Sequence, residues 1–512
     1  MAAPAWIHET WRTYIGNAAS VRDFRVQMRG SKTILAWTLY LGILLTVGYF
    51  TYASVSALGF GSSPAEIQYR LGTFFSTMFR VIAGAVVVIA PGLTAASIVG
   101  ERQRKSFDLV FSAPVTPKYY LVGKMIASFR YTLILLVLSI PVLAVSALLG
   151  GATWADIAIC YLLLSLSGLI ITSIALLVSA LVEKVQAAVA LSYFLTGVFL
   201  FGTFLISAYS MFATGRSGGP ISEAPFLATL NPFMIPETYG TYSVFRGMQI
   251  PNWMLVLPFT FIIVRFALLG AGSALSPFGS PETKGLRFQG LLYLAAFCLL
   301  FLLLPASSGR RAGDAQYVTY VAGCLTAFVP WIATFGDSAR KVTQYDGGWS
   351  IRRVFLGTPS GAGPYLAAMV GVLALCSVII ASNRGLGFSS VASHLAHGVG
   401  MIAFFAGACR AYSAKFGFEK GRTLGNATVI FLQILLPLFV MIVVASFYSG
   451  YGAGKFEQDP LWGLWPLWPL VADYPSDIHL VYGAISAGFG LWFWTKAEAA
   501  ATRRLKLAGI EA

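Results

Sequence analysis

The residues best able to do specific work lie between Gly100 and Lys124, in the stretch GERQRKSFDLVFSAPVTPKYYLVGK. Glu101, Arg102, Arg104, Lys105 and Asp108 supply charge, while Phe107, Leu109, Val110 and Phe111 supply apolar side chains beside it. Pro114 and Pro117 follow, and Lys118 and Lys124 lead into the next apolar run. Side chains three and four apart share a helix face, so two helical turns here present an apolar ridge flanked by charge. Such a surface docks into another surface. A basic loop obeying membrane topology accounts for the charges, but not for the ordered apolar positions and prolines.

Other chemistry is thin. No GxxxxGK[ST] occurs, so the chain cannot cradle a nucleotide in a P-loop of its own. His394 and His397 lie three apart on one helical face. A metal or proton site would use such a pair, but no carboxylate or Cys stands near in sequence, which favours hydrogen bonding inside a bundle. No metal is expected. Arg265, about two turns from the end of its run, is a candidate to line a polar pathway with these histidines, and Arg130 is placed to reach the interface. Cys160, Cys298, Cys324, Cys376 and Cys409 all fall in apolar runs without a CxxC and read as packing residues.

The elements that must position these residues are set by composition. The chain is 57% hydrophobic and 11% charged, with a mean hydropathy of +0.74. Soluble domains carry about 25% charged residues, so this is an integral membrane protein. The net charge of +15 would point to nucleic acid in a soluble chain. Here most Lys and Arg fall in one set of alternating loops, as the positive-inside rule requires, and no nucleic-acid partner is expected. No apolar segment with a small-residue cleavage site precedes the first span, so no cleavable signal peptide is expected.

Apolar runs long enough to cross about 30 Å of hydrocarbon occur near 33–53, 81–99, 125–149, 157–182, 187–209 and 253–274. A second set occurs near 288–305, 317–335, 365–382, 389–408, 427–447 and 478–494. The sequence therefore predicts an all-α membrane protein of about twelve transmembrane helices, with both basic termini cytoplasmic. Its halves are 1–275, beginning with an interfacial helix, and 276–512.

The second half reads as a diverged copy of the first. Gly100, Glu101, Arg104 and Lys105 match Gly336, Asp337, Arg340 and Lys341 at identical spacing. Val110, Phe111, Pro114, Tyr120 and Leu121 match Val354, Phe355, Pro359, Tyr365 and Leu366 with one residue of slippage. The outer loop holding Pro225, Leu230, Pro232 and Phe233 matches one holding Pro460, Leu464, Pro466 and Leu467. The second hairpin, with Asp337, Arg340, Lys341, Arg352, Arg353, Phe355 and Pro359, is longer and rich in glycine. It is expected to be less helical and to couple less well.

Read in order, PGLTA at Pro91, GER at Gly100, an apolar turn, paired prolines, GK at Gly123 and a long apolar helix resemble the ABC-2 type permeases, the membrane subunits of ABC exporters. So does the lead-in VRDFRVQMRGSKTILAWTLYLGIL, whose Arg22, Arg25 and Arg29 lie beside Val21, Phe24 and Met28 as in an interfacial elbow helix. The resemblance is specific over the first half of the chain. It implies that the first hairpin is the coupling helix seated in a P-loop ATPase subunit, with Glu101, Arg102 and Arg104 holding its angle through charge pairs. It also implies that ATP and Mg²⁺ belong to that partner, and that the long outer loops carry short re-entrant helices capping the pathway. Trp462, Trp465 and Trp468 suit such a helix or an interfacial belt.

The expected role is thus a non-enzymatic, multi-pass permease of an ATP-driven exporter in a bacterial inner membrane. One chain would serve two ATPase subunits, with room for periplasmic or further membrane subunits. An ion-coupled secondary transporter and a non-transporting scaffold for periplasmic assembly are the other readings. No Asp or Glu falls mid-span, which counts against ion coupling.

Overall fold

Helices start where the sequence puts a capping residue ahead of an apolar run. In the computed structural model, Asn17 caps α1 (Ala18–Met28), accepting from the Ser20 N–H. Ser63 caps α3 (Pro64–Gln103) and Thr116 caps α4 (Pro117–Leu148), each followed by proline in the first turn. Thr153 and Asp156 form a reciprocal capping box on α5 (Trp154–Leu181). The first unit, Met1–Pro277, is completed by α2 (Ser31–Ser56), α6 (Val185–Thr214), a 3₁₀ turn at Ala228–Leu230, α7 (Ile235–Thr238) and α8 (Asn252–Leu275). A hairpin of β1 (Tyr242–Phe245) and β2 (Met248–Pro251) pairs Tyr242 with Pro251 and is the only sheet among the described residues.

The structure describes residues 17–56, 63–105, 116–214, 228–245, 248–275, 287–296, 298, 318–319, 322–323, 325–326, 329–333, 362–384, 387–435 and 476–507. Eight of the described helices are long and apolar enough to cross a membrane, six of them in the first unit and the other two at Ala362–Ile379 and Phe388–Phe416. The runs read at 288–305, 317–335 and 427–447 fall only partly on described residues, and that at 478–494 lies inside a described helix that is not among the eight.

In the first unit the helices alternate in direction. The carboxyl halves of α3, α5 and α8 gather with the start of α4 in one apolar cluster, in which Ile98, Leu176, Val264 and Ala271 meet Tyr120 and Leu121. Val99, Val178 and Ala188 pack beside it, where α6 departs. All these ends lie where the 106–115 connection joins α3 to α4, termed below the hairpin end. The helix α3 is longer than the run 81–99 announces. Its 40 residues span about 60 Å, because Ser63 and Pro64 start it well before the apolar stretch.

At the far end, the connection between α6 and α8 folds back into the bundle. Ala228, Thr229 and Leu230 are fully buried, and the Leu230 carbonyl accepts from Ser167 Oγ at 2.9 Å. Ser167 lies about 20 Å along α5 from its Trp154 end, so this segment dips deep between helices. Asn231 anchors it to the Leu200 carbonyl at 3.0 Å, and Glu237 of α7 pairs with Arg80 of α3.

The second unit, Phe278–Ala512, contains α9 (Val329–Ala333), α10 (Ala362–Arg384), α11 (Phe388–Phe416), α12 (Phe418–Ile430), running into a π turn at Phe431–Leu435, and α13 (Ser476–Leu507). Among the described residues, its most extensive contact joins α11 and α13, which run parallel: Gly400 meets Gly483, and Gly407 meets Gly490 one heptad on. A Cβ on Gly400 would sit 2.3 Å from the Gly483 carbonyl oxygen, and one on Gly407 would sit 2.1 Å from that of Gly490. Only glycine permits this approach, the usual device for packing helices in lipid.

Candidate functional site

A knot of charge is tied at the hairpin end of the first unit. Tyr120 and Lys124, four apart on α4, share a face that looks at Glu101 in the last turn of α3. Lys124 Nζ donates to Glu101 Oε1 at 2.6 Å and lies 2.6 Å from Asp23 Oδ2 of α1. Tyr120 donates its hydroxyl to Glu101 Oε2 at 2.6 Å. Arg22 closes the ring, with Nη2 3.1 Å from Glu101 and 2.9 Å from Asp23. Two cations thus face two carboxylates, and Lys124 is only 5% exposed. Burial works against the Arg22 charge, yet Asp23 and Glu101 outweigh it and hold its pKa above the ordinary value.

The fit of α1 against α4 is equally specific. Asn17 Nδ2 donates to the Tyr119 carbonyl at 2.9 Å, and the Ala18 N–H donates to the Tyr119 hydroxyl at 2.9 Å. A Cβ on Gly123 would lie 2.6 Å from Asn17 Oδ1, so the GK pair has two jobs: Gly123 admits α1 and Lys124 binds it.

Arg102 leaves the knot and reaches α5. Its guanidinium donates to the carbonyls of Ala180, at 3.2 Å, and Val182, at 3.4 Å, capping the carboxyl end of α5 where a cation is favoured. Gln103 donates to the Glu183 carbonyl at 3.3 Å, and Ser179 Oγ accepts from the Ile98 and Val99 N–H groups. The outcome is one connected block: α1, α3, α4 and α5 are locked together where α3 ends and α4 begins.

The predicted residues divide accordingly. Glu101 and Lys124 meet, and Arg22 joins them. Arg102 donates to the Ala180 and Val182 carbonyls at the end of α5. Arg104 and Lys105 are exposed. The latter ends the helix with a left-handed φ of 55°, a position usually filled by glycine. Lys118 leads the first turn of α4, and Arg25 and Arg29 are exposed on α1. Phe107, Asp108, Leu109, Val110, Phe111 and Pro114 lie outside the described residues, as do Asp337, Arg340, Lys341, Arg352, Arg353, Phe355 and Pro359.

Arg265 is half-buried on α8 beside Val264 of the apolar cluster. His394 and His397 are buried on α11, where His479 of α13 joins them. The Nδ1 atoms of His397 and His479 are 3.0 Å apart, one donating to the other. The His394 and His479 rings lie 4.2 Å apart between centroids, and His394 Nδ1 lies 2.8 Å from the Ser390 carbonyl oxygen. Among the described residues, no group of three or more His, Cys, Asp or Glu is arranged to hold a metal ion.

Asp23 and Asn17 are site residues that the sequence did not single out, and so is His479; Tyr120 figured there only as the match to Tyr365. Asp23 hides between two arginines, although its opposite charge in a basic helix was a signal. His479, far off in sequence, left none. The same holds for Arg410, 6% exposed, which pairs with Glu498 at 3.0 Å and donates to the Ala333 carbonyl at 3.3 Å. It thereby ties α9, α11 and α13 in the second unit.

Residues 19–310, more than half of the chain, match the family described as ABC-2 family transporter protein. No curated protein matches the chain.

Proposed function

Because the chain belongs to the ABC-2 family of transporter proteins, a family of membrane permeases, we propose that it is the permease of an ATP-driven exporter of the bacterial inner membrane. Separate P-loop ATPase subunits drive it through the connection at 106–115. The sequence contains no P-loop, so ATP and Mg²⁺ belong to those subunits, and this chain's part is mechanical.

The observation that carries the reading is the charge knot at the hairpin end. A force applied to 106–115 acts on the last turn of α3 and the first turn of α4, and these are bonded to each other, to α1 and to α5. A displacement of the hairpin is therefore passed on as a movement of four helices, not absorbed by one loop. Interfaces with discrete packed states amplify such shifts. At the far end, Arg80–Glu237 ties the largely buried segment 228–238 to α3, the helix that the hairpin pulls.

In this reading both termini and the hairpin end face the cytoplasm. The second unit is a diverged six-helix copy of the first, giving twelve spans in all. Two features support the copy. The fourth and sixth helices of each set run parallel in contact, α5 with α8 and α11 with α13. An arginine also caps a neighbouring helix in each unit, Arg102 on α5 and Arg410 on α9.

The experiment is co-purification. Replacing Leu109 and Phe111 with Asp removes the apolar anchor, and we expect loss of the ATPase subunit and of stimulated hydrolysis from the purified complex. Unchanged recovery of the ATPase overturns the coupling role. A secondary transporter would keep its flux without any ATPase, and a scaffold would show neither flux nor hydrolysis.

A further inference from the structure

The knot takes from α1 the whole of Asp23 and one edge of Arg22. Ser20 is buried, and Asp23, the one acidic residue of the helix AASVRDFRVQM, is turned in to Lys124. The opposite face carries Arg22, Arg25, Val26 and Arg29, spaced so that all four line up along the helix. An open groove runs along them with Val21 and Ala18. Val26 is 65% exposed, and the Arg22 side chain is 54% exposed although it holds Glu101.

The depth of this face is set by the neighbouring helix α2. After Arg29 the chain turns at Gly30, whose φ of +141° suits glycine, and α2 starts at once. Its outward side chains Ile34, Leu35 and Leu39 are 64%, 59% and 57% exposed, on a helix apolar enough to cross a membrane. Side chains of that kind belong in hydrocarbon. Arg29 precedes Ile34 by only five residues, so the carboxyl end of α1 meets the edge of the hydrocarbon, where basic side chains reach lipid phosphates.

We propose that the outward face of α1 is a binding site for anionic phospholipid headgroups, held by Arg22, Arg25 and Arg29. Guanidinium groups are planar donors that grip phosphate with two hydrogen bonds. Arg22 already faces Asp23 and Glu101, so Arg25 and Arg29 carry most of the preference for a headgroup with net negative charge over a zwitterionic one. Arg22 gives the site a second consequence: it touches Glu101, so a bound phosphate is linked to the knot beneath the hairpin. The inference rests on the proposed function only for placing this leaflet on the cytoplasmic side.

The test uses the full chain and titrates phosphatidylglycerol and phosphatidylcholine of equal acyl length, with retained lipids counted by native mass spectrometry. Each basic side chain at an anionic membrane surface contributes roughly a fivefold preference. The wild type should prefer phosphatidylglycerol, and R25Q/R29Q should lose roughly ten- to thirtyfold of that preference. R25K/R29K should keep most of it, and glycerol phosphate should not compete. Equal binding of both lipids by the wild type, or an unchanged preference in R25Q/R29Q, overturns the proposal. So does release of the ATPase subunit by R25Q/R29Q with lipid preference intact, which would make the face a protein contact. The hairpin variants at Leu109 and Phe111 should leave lipid preference unchanged, so failure of the coupling role and failure of the lipid site read out separately.

Discussion

Lys124 shows how much a single buried charge can depend on its partners. With Asp23 and Glu101 both within 2.6 Å of its ammonium, Lys124→Met leaves two largely buried carboxylates facing one half-exposed arginine. Stranding a buried charge costs about 3–5 kcal/mol, whereas removing one charge of each sign costs far less. Thermal unfolding in detergent should therefore show K124M melting well below wild type, and K124M/E101Q recovering part of the loss. Equal or additive losses would mean that the pair is not coupled. Arg102 has a different task, so Arg102→Gln should loosen the end of α5 without disturbing the knot. Hydrogen exchange around Val178–Val182 is the measurement, and unchanged protection there would refute the capping role.

At the scale of elements, glycine decides how close two helices come. Gly400 and Gly483 have backbone where a Cβ would go, while Gly488 on the same α13 has nothing within 4 Å. G400A and G483A should each cost about 1–3 kcal/mol through overpacking, and G488A should be neutral or slightly stabilising. Melting midpoints of the three variants check this, and similar midpoints would refute the close packing of α11 and α13. The same contact brings His397 to His479, so the overpacked variants should also disturb that pair. The two hairpins are a further comparison between elements. The glycine-rich second one is expected to hold an ATPase less firmly, so F355D should cost less stimulated hydrolysis than F111D. Equal losses would mean that the divergence has no functional weight.

The whole molecule bears on stoichiometry. The first unit alone brings six helices long and apolar enough to cross a membrane, and its last one ends beside the cluster where α3 and α5 end and α4 begins. A second compact unit follows in the same chain. On the reading of two fused halves, a second copy of the chain is not required to close a pathway, and one chain should bind two ATPase subunits. Native mass spectrometry of the solubilised complex tests this. Two copies of the 55.0 kDa chain, persisting across detergents and concentrations, would refute the fused arrangement.

The sequence by itself determined what depends on local spacing and on solvent. Hydropathy marked the membrane helices, because in hydrocarbon every backbone group must be paired within a helix. Caps such as Thr153 with Asp156 set starting points, and the run from Pro91 to Lys124 carried the family. Hydropathy gave no sign that α3 begins well before Val81, because residues 64–80 mix the buried Phe74, Phe75, Met78 and Phe79 with the charged Glu66, Arg70 and Arg80. Tertiary structure alone decided which charges meet. Glu101 and Lys124 were legible as hairpin residues, but Asp23 and Tyr120 became their partners only because Gly123 lets α1 lie against α4. His479 and Arg410 found their partners through contacts between residues more than seventy positions apart. Such pairings leave no periodicity for a sequence to show: they depend on how closely the backbones approach, and in this chain a few glycines fix that distance.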